Sequence, residues 1–191
     1  MILDLNTTLV VFALSQENKA GVPHAQRLLL YTGVGKVNAA MKLARKLTEE
    51  RGRVRQVLNL GSAGSGKHPK LSLLNPVRFF QKDMGATNFG CEPYQTPFEK
   101  PVFLTGNPIE GYPPADLYTA DKLETTPDKN IDLVDMEGFA LAKTCHFFDI
   151  PFYCLKYVSD GADEHTTRDW PRTLNQGSDL LSEAVSSIFQ S

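Results

Sequence analysis

Cysteine is scarce in this 191-residue sequence, and its three thiols (Cys91, Cys145, Cys154) form at most one bridge. That argues against a disulfide scaffold and for a reducing compartment. None of the three stands in a C-x-x-C pair, which argues against a structural zinc site. The four histidines (His24, His68, His146, His165) make no pair at metal-ligand spacing, so no metal is expected, and nothing in the sequence implies an organic cofactor. His146 falls on a hydrophobic helix face, where packing is its expected role. There is no apolar run near the roughly 18 residues of a membrane span, and the opening MILDLNTTLVV lacks the basic flank of a signal peptide. Neither charge dominates: 20 Lys and Arg against 22 Asp and Glu give a net charge of −2. Without a face-sized basic cluster, nucleic acid is not the expected partner. A serine-hydrolase elbow, G-x-S-x-G, is also missing. What remains is a cytoplasmic protein with a small-molecule or protein partner. At about 150 residues per domain, it is expected to be a single domain over 1–191.

What the sequence does contain is an alternation of short apolar runs with helical patterns. Leu9–Leu14, Arg27–Tyr31, Val54–Leu60, Pro76–Gln81, Pro101–Leu104 and Pro151–Val158 read as strands. Lys36–Arg51 reads as a helix with Val37, Ala40, Met41, Ala44 and Leu47 on its buried face. Gly138–Phe148 and Leu174–Phe189 read as two more helices. Glycine and proline crowd 85–114, which reads as long loops and a possible lid. Strand–helix alternation predicts an α/β fold, a three-layer α/β/α sandwich around a central mixed sheet. Ligands of such sheets bind just beyond the carboxyl ends of the strands.

The residues at those strand ends are therefore the candidates. Ser15-Gln16-Glu17 follows the first, and a lone loop glutamate is ordinarily just solvated. Gly33-Val34-Gly35 follows the second. Asn38-Ala39 stand where the third glycine of a dinucleotide fingerprint belongs, so a tight turn is the plainer reading. Gly61-Ser62-Ala63-Gly64-Ser65-Gly66-Lys67-His68 nearly spells a phosphate-binding loop. His68 replaces the Mg²⁺-binding hydroxyl and Pro69 precludes the required helix, so a glycine-lined ligand wall fits better. Val134-Asp135-Met136-Glu137-Gly138 opens a helix, where either acid could serve only as a cap. Ser159-Asp160-Gly161 follows the last strand. Burial there would favour the protonated carboxyl and suit proton donation, with a turn aspartate as the plain alternative. Each signal is modest; three carboxylates (Glu17, Glu137, Asp160) at three strand ends beside a Gly-Ser-Ala-Gly wall are more telling together.

In order along the chain, Thr32-Gly33-Val34-Gly35-Lys36-Val37-Asn38, Asn59-Leu60-Gly61-Ser62-Ala63-Gly64, Val134-Asp135-Met136-Glu137-Gly138 and Val158-Ser159-Asp160-Gly161 resemble the purine nucleoside phosphorylase/nucleosidase superfamily. The branch they look most like is that of the 5′-methylthioadenosine/S-adenosylhomocysteine nucleosidases. The resemblance implies a purine nucleoside substrate and a homodimer. It implies that Glu17 deprotonates the attacking water and that Glu137, with Met136, binds the ribose hydroxyls. Asp160, positioned by Ser159, would protonate purine N7, with Ser62, Ala63 and Gly64 walling the ribose. Phe89 and Pro97 hold the spacing of residues that reach the neighbouring subunit's 5′ pocket in dimeric relatives. Asp121 would belong to the purine-binding segment, with Lys122 or Leu123 beside the base. Relative to the family, the segments 17–32 and 121–137 are trimmed. The superfamily's phosphorylases place arginines after the first and third strands. Here Glu17 holds the first place and 61–66 contain no arginine, so hydrolysis is expected over phosphorolysis. The alternatives are a phosphate-dependent phosphorylase and a catalytically silent nucleoside binder.

Overall fold

A computed structural model describes residues 3–22 and 28–190. In chain order they form β1 (Thr8–Phe12), β2 (Leu29–Tyr31), α1 (Lys36–Glu49), β3 (Gln56–Gly64), β4 (Leu73–Gln81), β5 (Leu104–Thr105), β6 (Pro114–Thr119), β7 (Leu133–Asp135), α2 (Gly138–Phe147), β8 (Phe152–Asp160) and α3 (Thr166–Gln190). Single 3-10 turns cover Ser15–Asn18 and Thr87–Phe89. The strands make one mixed sheet in the order β2-β1-β3-β7-β6-β4-β5, and β8 pairs with both β3 and β4. β8 runs parallel to β3 and antiparallel to β4. The pairings therefore close a ring, β3-β8-β4-β6-β7, whose last link is the single pair Gly64 with Val134.

Burial follows from the sheet's position between helices. All nine residues of β8 are buried, as expected of a central strand covered on both faces. Alternate β8 side chains enter two separate cores. Phe152, Cys154 and Val158 pack with α1 and α2, and Tyr153, Leu155 and Tyr157 pack with α3. That is the expected three-layer arrangement. Each large apolar side chain removed from water contributes about 1.5–3 kcal/mol, so these two cores carry the fold.

Several local expectations need correction. β3 does not stop at Gly61 but runs on to Gly64, so the glycines are strand, not loop. α1 buries Ala39, Leu43 and Leu47, while Val37 and Met41 are exposed. The helix carries two apolar stripes, and periodicity alone does not say which one meets the sheet. The strand expected at Pro101–Leu104 is reduced to Leu104–Thr105. α3 begins eight residues earlier than expected, at Thr166, and contains Pro171. His146 is exposed rather than packed, its Nε2 2.7 Å from the Thr105 carbonyl. Arg27, expected to open the second strand, lies outside the described residues.

Candidate functional site

The last residues of β3, β7 and β8 and the segments that follow β1 and β7 line a cavity of about 490 Å³. It sits between these strand ends and the first turns of α3. Glu17, Glu137 and Asp160 all line it, as do Ser62, Ala63, Gly64, Met136, Ser159 and Leu123. The three carboxylates are each at most 6 % exposed. Carboxylates this deeply buried require partners, and each has its own set.

Glu17 follows β1 in the 3-10 turn. Its Oε2 accepts the Leu14 amide at 3.1 Å. Its Oε1 accepts both the Ser62 amide, at 2.9 Å, and the Ser62 hydroxyl, at 2.7 Å. Gly61 is required here: a Cβ would stand 3.1 Å from Glu17 Oε1 and 3.4 Å from Lys156 Nζ. Gly64 is required at the other carboxylate, where a Cβ would stand 2.8 Å from Asp160 Oδ1. The glycine wall thus exists because two carboxylates press against its backbone, and its extended course leaves no phosphate-binding loop.

Asp160, the last residue of β8, accepts three donors. The Ala162 amide (3.0 Å) and the Thr166 hydroxyl (2.8 Å) bind Oδ1, and the Ser159 hydroxyl (2.6 Å) binds Oδ2. Glu137 precedes α2, and its Oε1 accepts the Gly35 amide at 2.8 Å. The Gly33–Gly35 turn therefore presents its amide to a carboxylate of the same chain rather than to a bound anion. Between the two acids that open α2 there is a division of labour. Asp135 takes the cap, accepting the Gly138 amide at 2.9 Å and the Thr119 hydroxyl at 2.6 Å, and Glu137 is left facing the cavity.

Beneath this cluster lies Lys156, buried on β8, with its Nζ 3.2 Å from Asp135 Oδ2. Burial disfavours the ammonium, but Asp135 first, then Cys154, Glu137 and Glu17, outweigh it and raise the lysine pKa. The ammonium offsets the carboxylates around it. Removing one partner from a buried pair of this kind costs about 3–5 kcal/mol. Glu137 titrates the other way from an exposed acid. Burial, then the Asp135 charge, raise its pKa, and Lys156 and the Gly35 amide only partly oppose them. A carboxyl whose pKa is higher folded than unfolded holds an extra proton in the native state. Stability therefore falls as pH rises from the ordinary glutamate value toward the raised one. Glu137→Gln removes this dependence. In denaturant titrations, the variant is expected to gain on wild type by about 1.4 kcal/mol per pH unit between about pH 5 and about pH 8. Parallel stability curves would contradict the assignment.

Three expected site residues lie elsewhere. Asp121 turns away from the cavity, accepting the Lys36 amide at 2.8 Å and approaching Lys36 Nζ at 3.7 Å. Its neighbours Ala120, Lys122 and Leu123 line the cavity in its place. Phe89 and Pro97, expected to serve a neighbouring subunit's pocket, do not line this one, and Phe89 is 85 % exposed. Sequence reasoning left open which acid caps α2, and it missed Lys156 and, above all, Trp170, which lines the cavity from α3. Trp170 lies four residues ahead of the helix expected from Leu174, and Pro171 beside it gives no local helical signal. Among the described residues no group of His, Cys, Asp or Glu is arranged to hold a metal.

Residues 98–190 match the family model described as the phosphorylase superfamily. The 5′-methylthioadenosine/S-adenosylhomocysteine nucleosidases of Bacillus thuringiensis (strain Al Hakam) and Bacillus anthracis are each 29 % identical over 174 residues, covering 78 % of this chain and 74 % of theirs. The Neisseria meningitidis nucleosidase of the same name, solved with methylthio-immucillin-A, superposes with a TM-score of 0.83 at 23 % identity, over 96 % of this chain and 98 % of that one. The resemblance to the phosphorylase superfamily stands. A Helicobacter pylori futalosine hydrolase has the same fold as well, with a TM-score of 0.84 at 18 % identity over 97 % of this chain and 98 % of that one. The residues that match the family model include β8 and α3, the elements that hold Asp160, Lys156 and Trp170 here.

Proposed function

We propose that this chain is a purine nucleoside N-ribohydrolase that cleaves the N-glycosidic bond of a 5′-substituted adenosine, of the methylthioadenosine/S-adenosylhomocysteine type. The observation that carries the reading is the convergence of Glu17, Glu137 and Asp160 in one cavity, each on different donors. The named relatives, nucleosidases over three quarters of their length, support the same class.

The chemistry divides among the three acids. Glu17, with Oε1 occupied by Ser62 and Oε2 by Leu14, keeps lone pairs for a water and takes its proton as the oxygen attacks C1′. Glu137, with Met136 beside it, binds the ribose 2′- and 3′-hydroxyls. The C1′–N9 bond breaks with its electron pair passing to the purine, and Asp160, positioned by Ser159, delivers a proton to N7. Water thus becomes the C1′ hydroxyl, and the neutral base leaves. Ser62, Ala63 and Gly64 wall the ribose, and Leu123 packs beside the base. A phosphorylase would need cations for phosphate. Lys122 is the only basic residue lining the cavity among the described residues, and no arginine does.

A homodimer belongs to this proposal. Val34, Val37 and Met41 form an exposed apolar stripe, and Val34 also lines the cavity. A second copy laid against that stripe is the proposed partner, and the resemblance assigns Phe89 and Pro97 to the 5′ end of the neighbour's pocket. A cytoplasmic location is supported by the free thiols at Cys91, Cys145 and Cys154.

The testing experiment is base release from methylthioadenosine, S-adenosylhomocysteine, adenosine, inosine and AMP, each with and without phosphate. Phosphate-independent release, fastest from the thioether substrates, is expected. Release only with phosphate, yielding ribose 1-phosphate, would replace the reading with a phosphorylase. Binding without release would leave a nucleoside-binding relative.

A further inference from the structure

The first two turns of α3 do more than close the cavity. Thr166 and Trp170 are four residues apart and so project from one face of the helix. Thr166 donates to Asp160 Oδ1 at 2.8 Å. Trp170 Nε1 donates to Ser62 Oγ at 2.9 Å, and Ser62 Oγ donates to Glu17 Oε1 at 2.7 Å. We propose that Trp170 is a positioning residue that orients Glu17 through the Ser62 hydroxyl, making this helix the element that sets both the base and the acid. The inference rests on the nucleosidase reading above.

The direction of the chain of hydrogen bonds is fixed by what each group can do. An indole N–H only donates, an ionised carboxylate only accepts, and a serine hydroxyl has one proton and two lone pairs. With the indole on a lone pair, the serine proton is committed to Glu17. The hydroxyl cannot rotate toward the cavity, and linked hydrogen bonds of this sort strengthen one another. The same helix is locked to β8 by Thr173, whose hydroxyl donates to the Ser159 carbonyl at 3.1 Å. It is anchored outside by Asp169, which pairs with Lys70 and Arg168. A phenylalanine at 170 would keep an aromatic ring against the cavity but could not donate.

The test is a double-mutant cycle on base release from methylthioadenosine. Trp170→Phe is expected to lower kcat about tenfold, the scale of one lost hydrogen bond, with KM changed less than about twofold. Ser62→Ala is expected to lower kcat at least as much. In the Ser62→Ala background, Trp170→Phe should cost less than about twofold more, because the path to Glu17 is already cut. Full kcat in Trp170→Phe, or losses that simply multiply, would overturn the proposal and leave a packing role. Should Trp170→Phe fail to fold by circular dichroism, the test moves to emission. Trp170 is the chain's single tryptophan, so fluorescence reports this site alone. Ser62→Ala should shift it to shorter wavelength as the indole loses its acceptor, and an unchanged spectrum would overturn the proposal. The emission shift reads the hydrogen bond even if wild type released no base, an outcome that would sink the nucleosidase reading instead.

Discussion

Asp160→Asn is expected to lower kcat by about 10²–10⁴-fold while KM stays within a few-fold, the range set by loss of a positioned proton donor. Asparagine fits the same space, and its carbonyl oxygen can still accept the Ala162 amide and the Thr166 hydroxyl that now hold Oδ1. Ser159 can turn its hydroxyl to accept from the new amide in place of donating to Oδ2. The fold is therefore retained, and what disappears is an ionisable proton at the purine. A leaving group that needs no protonation separates this from simple disruption. With a nitrophenyl riboside, the variant should lose far less than with methylthioadenosine. Equal losses on both substrates would show that Asp160 holds the sugar or the fold rather than the base.

How far this site was legible in the sequence depended on what each residue touches. Glu17, Glu137 and Asp160 could be found because they follow apolar runs, and strand ends in α/β sheets face one side. The glycines of 61–64 were visible too, though not as what they are. They read as a loop, and only the approach of Glu17 and Asp160 to the backbone explains why a strand should carry them. β7 is three residues long and β6 opens on a proline, so neither stands out by pattern. Asp121 misled because its neighbours do line the cavity while its own carboxylate faces Lys36 across the fold, a choice no local pattern records. Trp170 was hidden by Pro171. A proline inside a helix ordinarily ends it, because it offers no amide to the carbonyl four residues back. Here the packing of α3 on β8 and its side-chain anchors hold the helix through the break, and that long-range compensation cannot be read from the segment itself. Lys156 reads as an interruption in an apolar strand until its partner Asp135, 21 positions earlier, is brought beneath it.

Glu17→Gln is expected to be as damaging as loss of the acid, about 10²–10⁴-fold in kcat, but by a different route and with a different remedy. The amide oxygen of glutamine can keep the two Ser62 donors now on Oε1. Its amide nitrogen cannot accept from Leu14, so one backbone N–H loses its partner, at about 1–3 kcal/mol. A lower melting temperature is therefore part of the expected result. The catalytic loss has its own signature. Water needs a base to shed its proton as it attacks C1′, whereas azide is already an anion and needs none. Removing the carboxylate also removes the charge that would repel an anion from that side of the cavity. Added azide should then restore base release in Glu17→Gln, with ribosyl azide as product, and should do little for wild type. It should do nothing for Asp160→Asn, because an anionic nucleophile does not protonate the purine. Failure of azide to rescue Glu17→Gln, with substrate still bound, would remove Glu17 from the water and leave it a structural ligand of Ser62. That outcome would also separate the two acids that the sequence pattern made look equivalent.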